Sequence, residues 1–207
     1  VLSMARGNIY VVTAPSGAGK TTLVRALLAA DSRIQLSVSF TTRAPRTGEV
    51  NGKDYNFVSR ETFEQMIAAA TLLEHAEVFG NYYGTSQEWI ESMLAQGQDI
   101  LLEIDWQGAQ QVRRLLPQAI GVFILPPSLA VLEERLRGRG KDSEEVILRR
   151  LAAAKEEISH VDEFDYVVIN DRFEDALQDI LAIVRAERLK LGRQSDLHQA
   201  MIAAMKG

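Results

Sequence analysis

The 207-residue chain contains no cysteine. Disulfides and thiolate metal sites are therefore excluded, and the composition fits a reducing compartment, with the cytoplasm as the expected location. No apolar run approaches the ~20 residues that a membrane helix needs, and no signal-peptide core is visible near the N-terminus, so neither a span nor a leader is expected. An excess of positive charge is missing as well: 23 Lys and Arg stand against 28 Asp and Glu, a formal net charge of -5. That balance argues against nucleic acid or an anionic membrane surface as partner, and leaves individual basic residues to serve local purposes. Internal repeats and low-complexity segments are absent. Residues 1–3, ahead of Met4, read as a remnant or an upstream start and are set aside from the fold reasoning.

What the chain does have is apolar content, 46% of its residues, enough for one substantial core carrying insertions. Its organising stretch starts at Ile9. Ile9, Tyr10, Val11 and Val12 suit a buried strand, and Leu23, Ala26, Leu27 and Ala30 recur at helical spacing. Between them lies APSGAGKTT, residues 14–22. Gly17 and Gly19 free the backbone to curl, so that successive N–H groups and the helix N-terminus face one anion. Lys20 is then expected at the β- and γ-phosphates and Thr21 at Mg2+. The pattern G-x-x-x-x-G-K-[ST] is met except at its first position, where Ala14 replaces glycine. Alone, the loop indicates triphosphate binding and leaves the chemistry open.

Further along, residues 36–40 read as a strand, and residues 41–59 are polar and interrupted by Pro45, Gly48 and Gly52. A short helix over residues 61–70 and two short strands around GNYYGTS complete what looks like an inserted lobe. The alternation of helix and strand then resumes. Helices are predicted over residues 87–95, 107–116, 128–137, from Asp142 with Glu145 as a capping box, and from Phe173. Buried strands are predicted over residues 99–105, 120–125 and 165–170. Continuous apolar strands alternating with helices imply a parallel sheet covered on both faces. After Gly192 an apolar stripe of Leu197, Met201 and Met205 can pack on the core or on another subunit, which keeps a homo-oligomer open.

The lobe offers cations and phenols in Arg43, Arg46, Tyr55 and Tyr83. Hydroxyls and carboxylates come from Ser39, Glu74, Thr85 and Asp105. Together, beside a triphosphate loop, they describe a pocket for a phosphorylated base. The segment Asp105-Trp106-Gln107-Gly108 satisfies the D-x-x-G of GTPase switches, but their N-K-x-D is missing. A kinase for another monophosphate stays open at this point.

The chain closely resembles guanylate kinases, through APSGAGKTT, SVSFTTRAPRTGEVNGKDYNFV (residues 37–58), LLEHAEVFGNYYGT (72–85), EIDWQGAQQVR (103–113), FILPPS (123–128) and RLRGRGKDSEEVILRRL (135–151). The resemblance implies an α/β fold: a P-loop three-layer αβα core with a central parallel sheet, formed by residues 4–36, 89–128 and 160–207. An inserted GMP-binding lobe would span residues 37–88 and a helical lid residues 129–159.

It further implies ATP and GMP as substrates and Mg2+ as cofactor. ATP would be bound by Ala14, Pro15, Ser16, Gly17, Ala18, Gly19, Lys20, Thr21 and Thr22, with Arg135, Arg139 and Asn170. GMP would be bound by Ser39, Arg43, Arg46, Tyr55, Glu74, Tyr83, Thr85 and Asp105, and catalysis would rest on Lys20, Arg43, Arg135, Arg139 and Arg150. The metal would meet Thr21, with Glu103, one methylene longer than the Asp of many relatives, reaching it through water. His160 and the two tryptophans are read as packed or solvated residues without a ligand role.

Overall fold

The computed structural model describes residues 5–78, 80–138 and 143–207. Expectations resting on residues 1–3, Met4, Arg139, Gly140 and Asp142 lie outside the described residues. The chain opens with β1 (Ile9–Thr13), α1 (Lys20–Ala30) and β2 (Ile34–Leu36). It then leaves the core for β3 (Phe40–Thr41), β4 (Asn56–Phe57), α2 (Arg60–Ala68), β5 (Leu72–Val78) and β6 (Asn81–Ser86). It returns through α3 (Gln87–Ala95), β7 (Asp99–Glu103), α4 (Trp106–Leu115) and β8 (Ile120–Leu125). Two helices follow, α5 (Leu129–Gly138) and α6 (Glu144–Ile158). The chain ends with β9 (Tyr166–Ile169), α7 (Phe173–Arg188), α8 (Leu191–Leu197) and α9 (Gln199–Lys206).

The core sheet is parallel throughout, in the order β2-β7-β1-β8-β9. Period-2 alternation along β1 divides the core in two. Tyr10 and Val12 pack with Leu23 and Leu27 of α1 and Ile180 and Val184 of α7, while Ile9 and Val11 pack with Ile90 and Leu94 of α3 and Val112 of α4. Both faces of the sheet are thus covered, as the continuous apolar strands predict. In the β1–β7 register Val12 lies opposite Glu103, so the loop after β1 and the acidic end of β7 emerge side by side. Such an edge, at the carboxyl ends of parallel strands, is where ligands of α/β proteins bind.

Several expectations are corrected. The single strand predicted over residues 36–40 is two, because β2 ends at Leu36 in the core sheet and β3 starts at Phe40 in the other. Hydrophobic pattern registers an extended chain but not the change of sheet. The lobe carries a four-stranded mixed sheet, β4-β3-β6-β5, rather than two strands; β3 and β4 are two residues each, too short for periodicity to reveal. The cap of α6 is Ser143, whose hydroxyl accepts from Val146 N–H. Strand β9 is not fully buried: it is an edge strand, with Val167 and Ile169 exposed and Val168 in the core. Leu197, Met201 and Met205 are exposed and do not pack on the core.

Candidate active site

The loop between β1 and α1 adopts the curl its glycines allow. Gly17 and Gly19 have φ of 92° and 89°, in the left-handed region, and Ala18 N–H bonds to Pro15 O at 3.1 Å. No side chain caps α1, whose N-cap is Gly19, so its first N–H groups are presented by main chain alone. Asn170, buried after β9, donates from Nδ2 to Ala18 O at 2.8 Å, and its own carbonyl accepts from Arg135 Nη2 at 2.9 Å. A Cβ on Gly19 would lie 2.5 Å from Asn170 Nδ2 and displace it, and the φ of 89° already favours glycine. Leu132 and Leu136 of α5 lie against Gly17. Ala14, at the position of the missing first glycine, packs on the core.

Lys20 is half-buried among carboxylates. Burial lowers its pKa, and Glu103, Glu157 and Asp105 oppose that shift by favouring the ammonium form. The Thr21 hydroxyl donates to Glu103 Oε1 at 3.1 Å, which leaves the lone pairs of that hydroxyl available to a hard cation. No group of three or more metal-ligating side chains occurs among the described residues. A Thr hydroxyl beside one carboxylate suits a small oxygen-loving cation that takes its other ligands from phosphates and water, not a closed protein cage.

From α6, Arg150 and Glu157 project from one helix face, seven residues apart. Glu157 accepts from the Ser16 main-chain N–H and faces Lys20, and burial raises its pKa. Its Oε2 is buried without a partner among the described residues. Arg139 lies outside the described residues.

The second half of the site is made by strand register. In the β5–β6 ladder Glu74 stands opposite Thr85, and Thr85 Oγ1 donates to Glu74 Oε1 at 2.6 Å. Both are buried. Burial, partly offset by the Thr85 bond and reinforced by Asp105, pushes the Glu74 pKa up to about 7. Asp105 caps α4 by accepting from Gly108 N–H at 2.8 Å. Gln111 of α4 exchanges two bonds with the His75 main chain, each 3.0 Å, and so ties β5 to the core helix.

Arg43 and the two phenols of the lobe also converge. Arg43 lies over the Tyr55 ring at 5.4 Å, Tyr55 and Tyr83 meet edge to face at 6.0 Å, and Arg43 Nη2 pairs with Glu49 at 2.8 Å. Arg46 is exposed on the same loop.

Two cavities with shared walls are lined by many of these groups, though not by Arg43, Arg46 or Arg150. One, of about 380 Å³, is lined by Lys20, Thr21, Glu103, Ser39 and Tyr55; the other, of about 390 Å³, by Glu74, Tyr83, Asp105 and the shared Ser39, Tyr55 and Glu103. A further cavity of about 420 Å³ lies at the N-terminal end of β1, against Asn8 and Arg193, and contains none of the predicted groups.

Glu49, Glu157 and Gln111 were not identified from sequence. Only Glu157 left a signal there, by standing two helical turns after Arg150. His160 is also less isolated than expected: it stacks on Trp106 with centroids 3.5 Å apart and bonds to Glu163 at 2.7 Å. That stack joins the end of α6 to the start of α4.

The chain is similar to known proteins over nearly its whole length. A family model described as guanylate kinase matches residues 6–187. A guanylate kinase of Dechloromonas aromatica is 61% identical over 199 residues, 96% of this chain and 98% of its own length. One from Escherichia coli is 55% identical over 204 residues, 98% of this chain and 99% of its own length. The crystal structure of guanylate kinase from Anaplasma phagocytophilum superposes with a TM-score of 0.73 at 38% identity, covering 91% of this chain and 90% of that one.

Proposed function

The chain belongs to the guanylate kinase family, and from that premise we propose how its two cavities with shared walls carry out the transfer of phosphate from ATP to GMP. The observation that carries the reading is the buried Glu74, bonded to Thr85 and lining a cavity that shares Ser39, Tyr55 and Glu103 with the one that reaches Lys20. The Watson–Crick edge of guanine shows two donors, N1–H and N2–H, beside the O6 acceptor. A carboxylate takes the donors, and the Ser39 and Thr85 hydroxyls and Asp105 complete the set. Adenine presents the opposite polarity and would leave the buried groups unpaired. Sites built on matched hydrogen bonds discriminate by about 10^4 or more.

In this reading Arg43, Arg46, Tyr55 and Tyr83 hold the acceptor phosphate. Residues 14–22 and Lys20 hold the donor triphosphate, with Asn170 fixing the loop backbone. Thr21, and Glu103 through water, would hold Mg2+, which when bound supplies charge neutralisation at the β- and γ-phosphates. Arg135, Arg139 and Arg150 neutralise the charge spreading over the transferred group as the acceptor oxygen attacks in line. Residues 37–88 act as the GMP lobe and residues 129–159 as a lid, closing over both nucleotides to exclude water. The cytoplasm is the compartment proposed, since both substrates are nucleotides.

A coupled ADP-release assay with GMP, AMP, UMP and CMP as acceptors tests the reading. GMP is expected to be preferred strongly; preference for AMP would overturn it.

A further inference from the structure

We propose that Glu49 is a positioning residue for the acceptor phosphate, one that orients the Arg43 guanidinium and fixes the main chain from which Arg46 projects. The proposal rests on the reading of Arg43 and Arg46 as the residues that bind the phosphate of GMP. Arginine side chains on a loop lose rotamer freedom on being fixed. Something must restrain them before substrate arrives if binding is to be tight.

The Glu49 carboxylate divides between them. Oε1 accepts from Arg43 Nη2 at 2.8 Å, and Oε2 accepts from the Arg46 main-chain N–H at 2.7 Å. The main chain closes the same link in the other direction, Glu49 N–H donating to Arg46 O at 3.0 Å. Gly48, at φ 90°, is the residue that allows the chain to fold back so.

Arg43 is then fully determined. Nη1 donates to Ala44 O at 2.9 Å, and the guanidinium lies over Tyr55. Glu49, Ala44 O and a further side-chain bond to Tyr83 occupy part of its five-donor fork, and the remaining N–H groups are left for a phosphate. Pairing with Arg43 and the Arg46 N–H holds the Glu49 carboxyl below the ordinary carboxylate range, so it is ionised wherever the enzyme works. A negative charge beside a phosphate site lowers affinity by itself. Its placement on the Arg43 guanidinium and the Arg46 main chain is therefore a matter of orientation, in contrast to an ordinary surface pair, which contributes little and orients nothing.

The test compares the wild type with Glu49→Ala and Glu49→Gln in the full chain, using calorimetry with GMP and with guanosine, and steady-state kinetics. For Glu49→Ala, GMP affinity is expected to fall about 10- to 100-fold. Guanosine affinity and the KM for ATP should stay within about twofold, and kcat should change less than the KM for GMP. Glu49→Gln keeps the shape and one acceptor oxygen, and should recover part of the loss. Unchanged GMP affinity in both variants would reduce Glu49 to a surface pair, and tighter GMP binding would make it a competitor of the phosphate. Equal losses for GMP and guanosine would mean a collapsed lobe. Each of the three overturns the proposal. A wild type that binds neither ligand would instead remove the guanylate reading beneath it.

Discussion

Replacing Glu74 by Gln removes one charge from a place where charge is expensive. Glu74 is 5% exposed, its described hydrogen-bond donor is the Thr85 hydroxyl, and the charge acting on it is another carboxylate, Asp105. Burial foremost pushes its pKa from the ordinary 4.5 to about 7. A displacement of that size corresponds to about 3 kcal/mol between the two protonation states. Because the folded-state value lies above the unfolded one, the folded chain keeps a proton that the unfolded chain releases. Stability is therefore lost as pH rises from about 4.5 to about 7, and the full cost is present above that window. Gln keeps an oxygen for Thr85 and carries no charge. In urea unfolding, Glu74→Gln should exceed the wild type in stability by about 2–3 kcal/mol at pH 8 and by under about 1 kcal/mol at pH 5. The same variant should lose about 10- to 100-fold in activity on GMP, since a buried donor then faces donors. IMP, which lacks the 2-amino group, should suffer less. A gain independent of pH, or a less stable variant at pH 8, would refute the argument by showing that the carboxylate is already compensated.

Other expectations follow from the same contacts. Wild-type GMP affinity should weaken as pH falls below about 7, by up to about tenfold per pH step, because guanine needs the ionised Glu74; a flat calorimetric profile between pH 6 and 8 would contradict this. Lys20→Ala should lower kcat by about 100-fold or more with an unchanged circular dichroism spectrum, and near-normal turnover would defeat the loop assignment. Asn170→Ala strands the Ala18 carbonyl and should cost about 1–3 kcal/mol of stability while raising the KM for ATP; urea titration and kinetics report the two effects separately. Glu157→Gln removes the carboxylate that shares Ser16 N–H and Lys20 with the incoming phosphates, so ATP should bind about 3- to 10-fold more tightly, and weaker binding would assign Glu157 a supporting role instead.

Features that are local in the chain were legible without coordinates. The phosphate loop occupies nine consecutive residues, and its glycines, lysine and threonines are required where they stand by backbone conformation and anion chemistry alone. Residues 87–95 and 120–125 appear as predicted, since helix and buried-strand periodicity is written in neighbouring side chains. The motifs at matching spacing identified the family before any contact was known. What tertiary structure decided is which of the chain's carboxylates carry unusual chemistry. Glu74 becomes a high-pKa group because the folded chain buries it and sets Asp105 near it, and the Thr85 bond that the β5–β6 register provides offsets that only in part. Glu49 joins two arginines through a turn, and Glu157 reaches the phosphate loop from a helix about 140 residues downstream. In sequence each is one acidic residue among 28 Asp and Glu. A carboxylate's behaviour depends on how much water it has lost and which charges face it, and both are settled by groups far away along the chain.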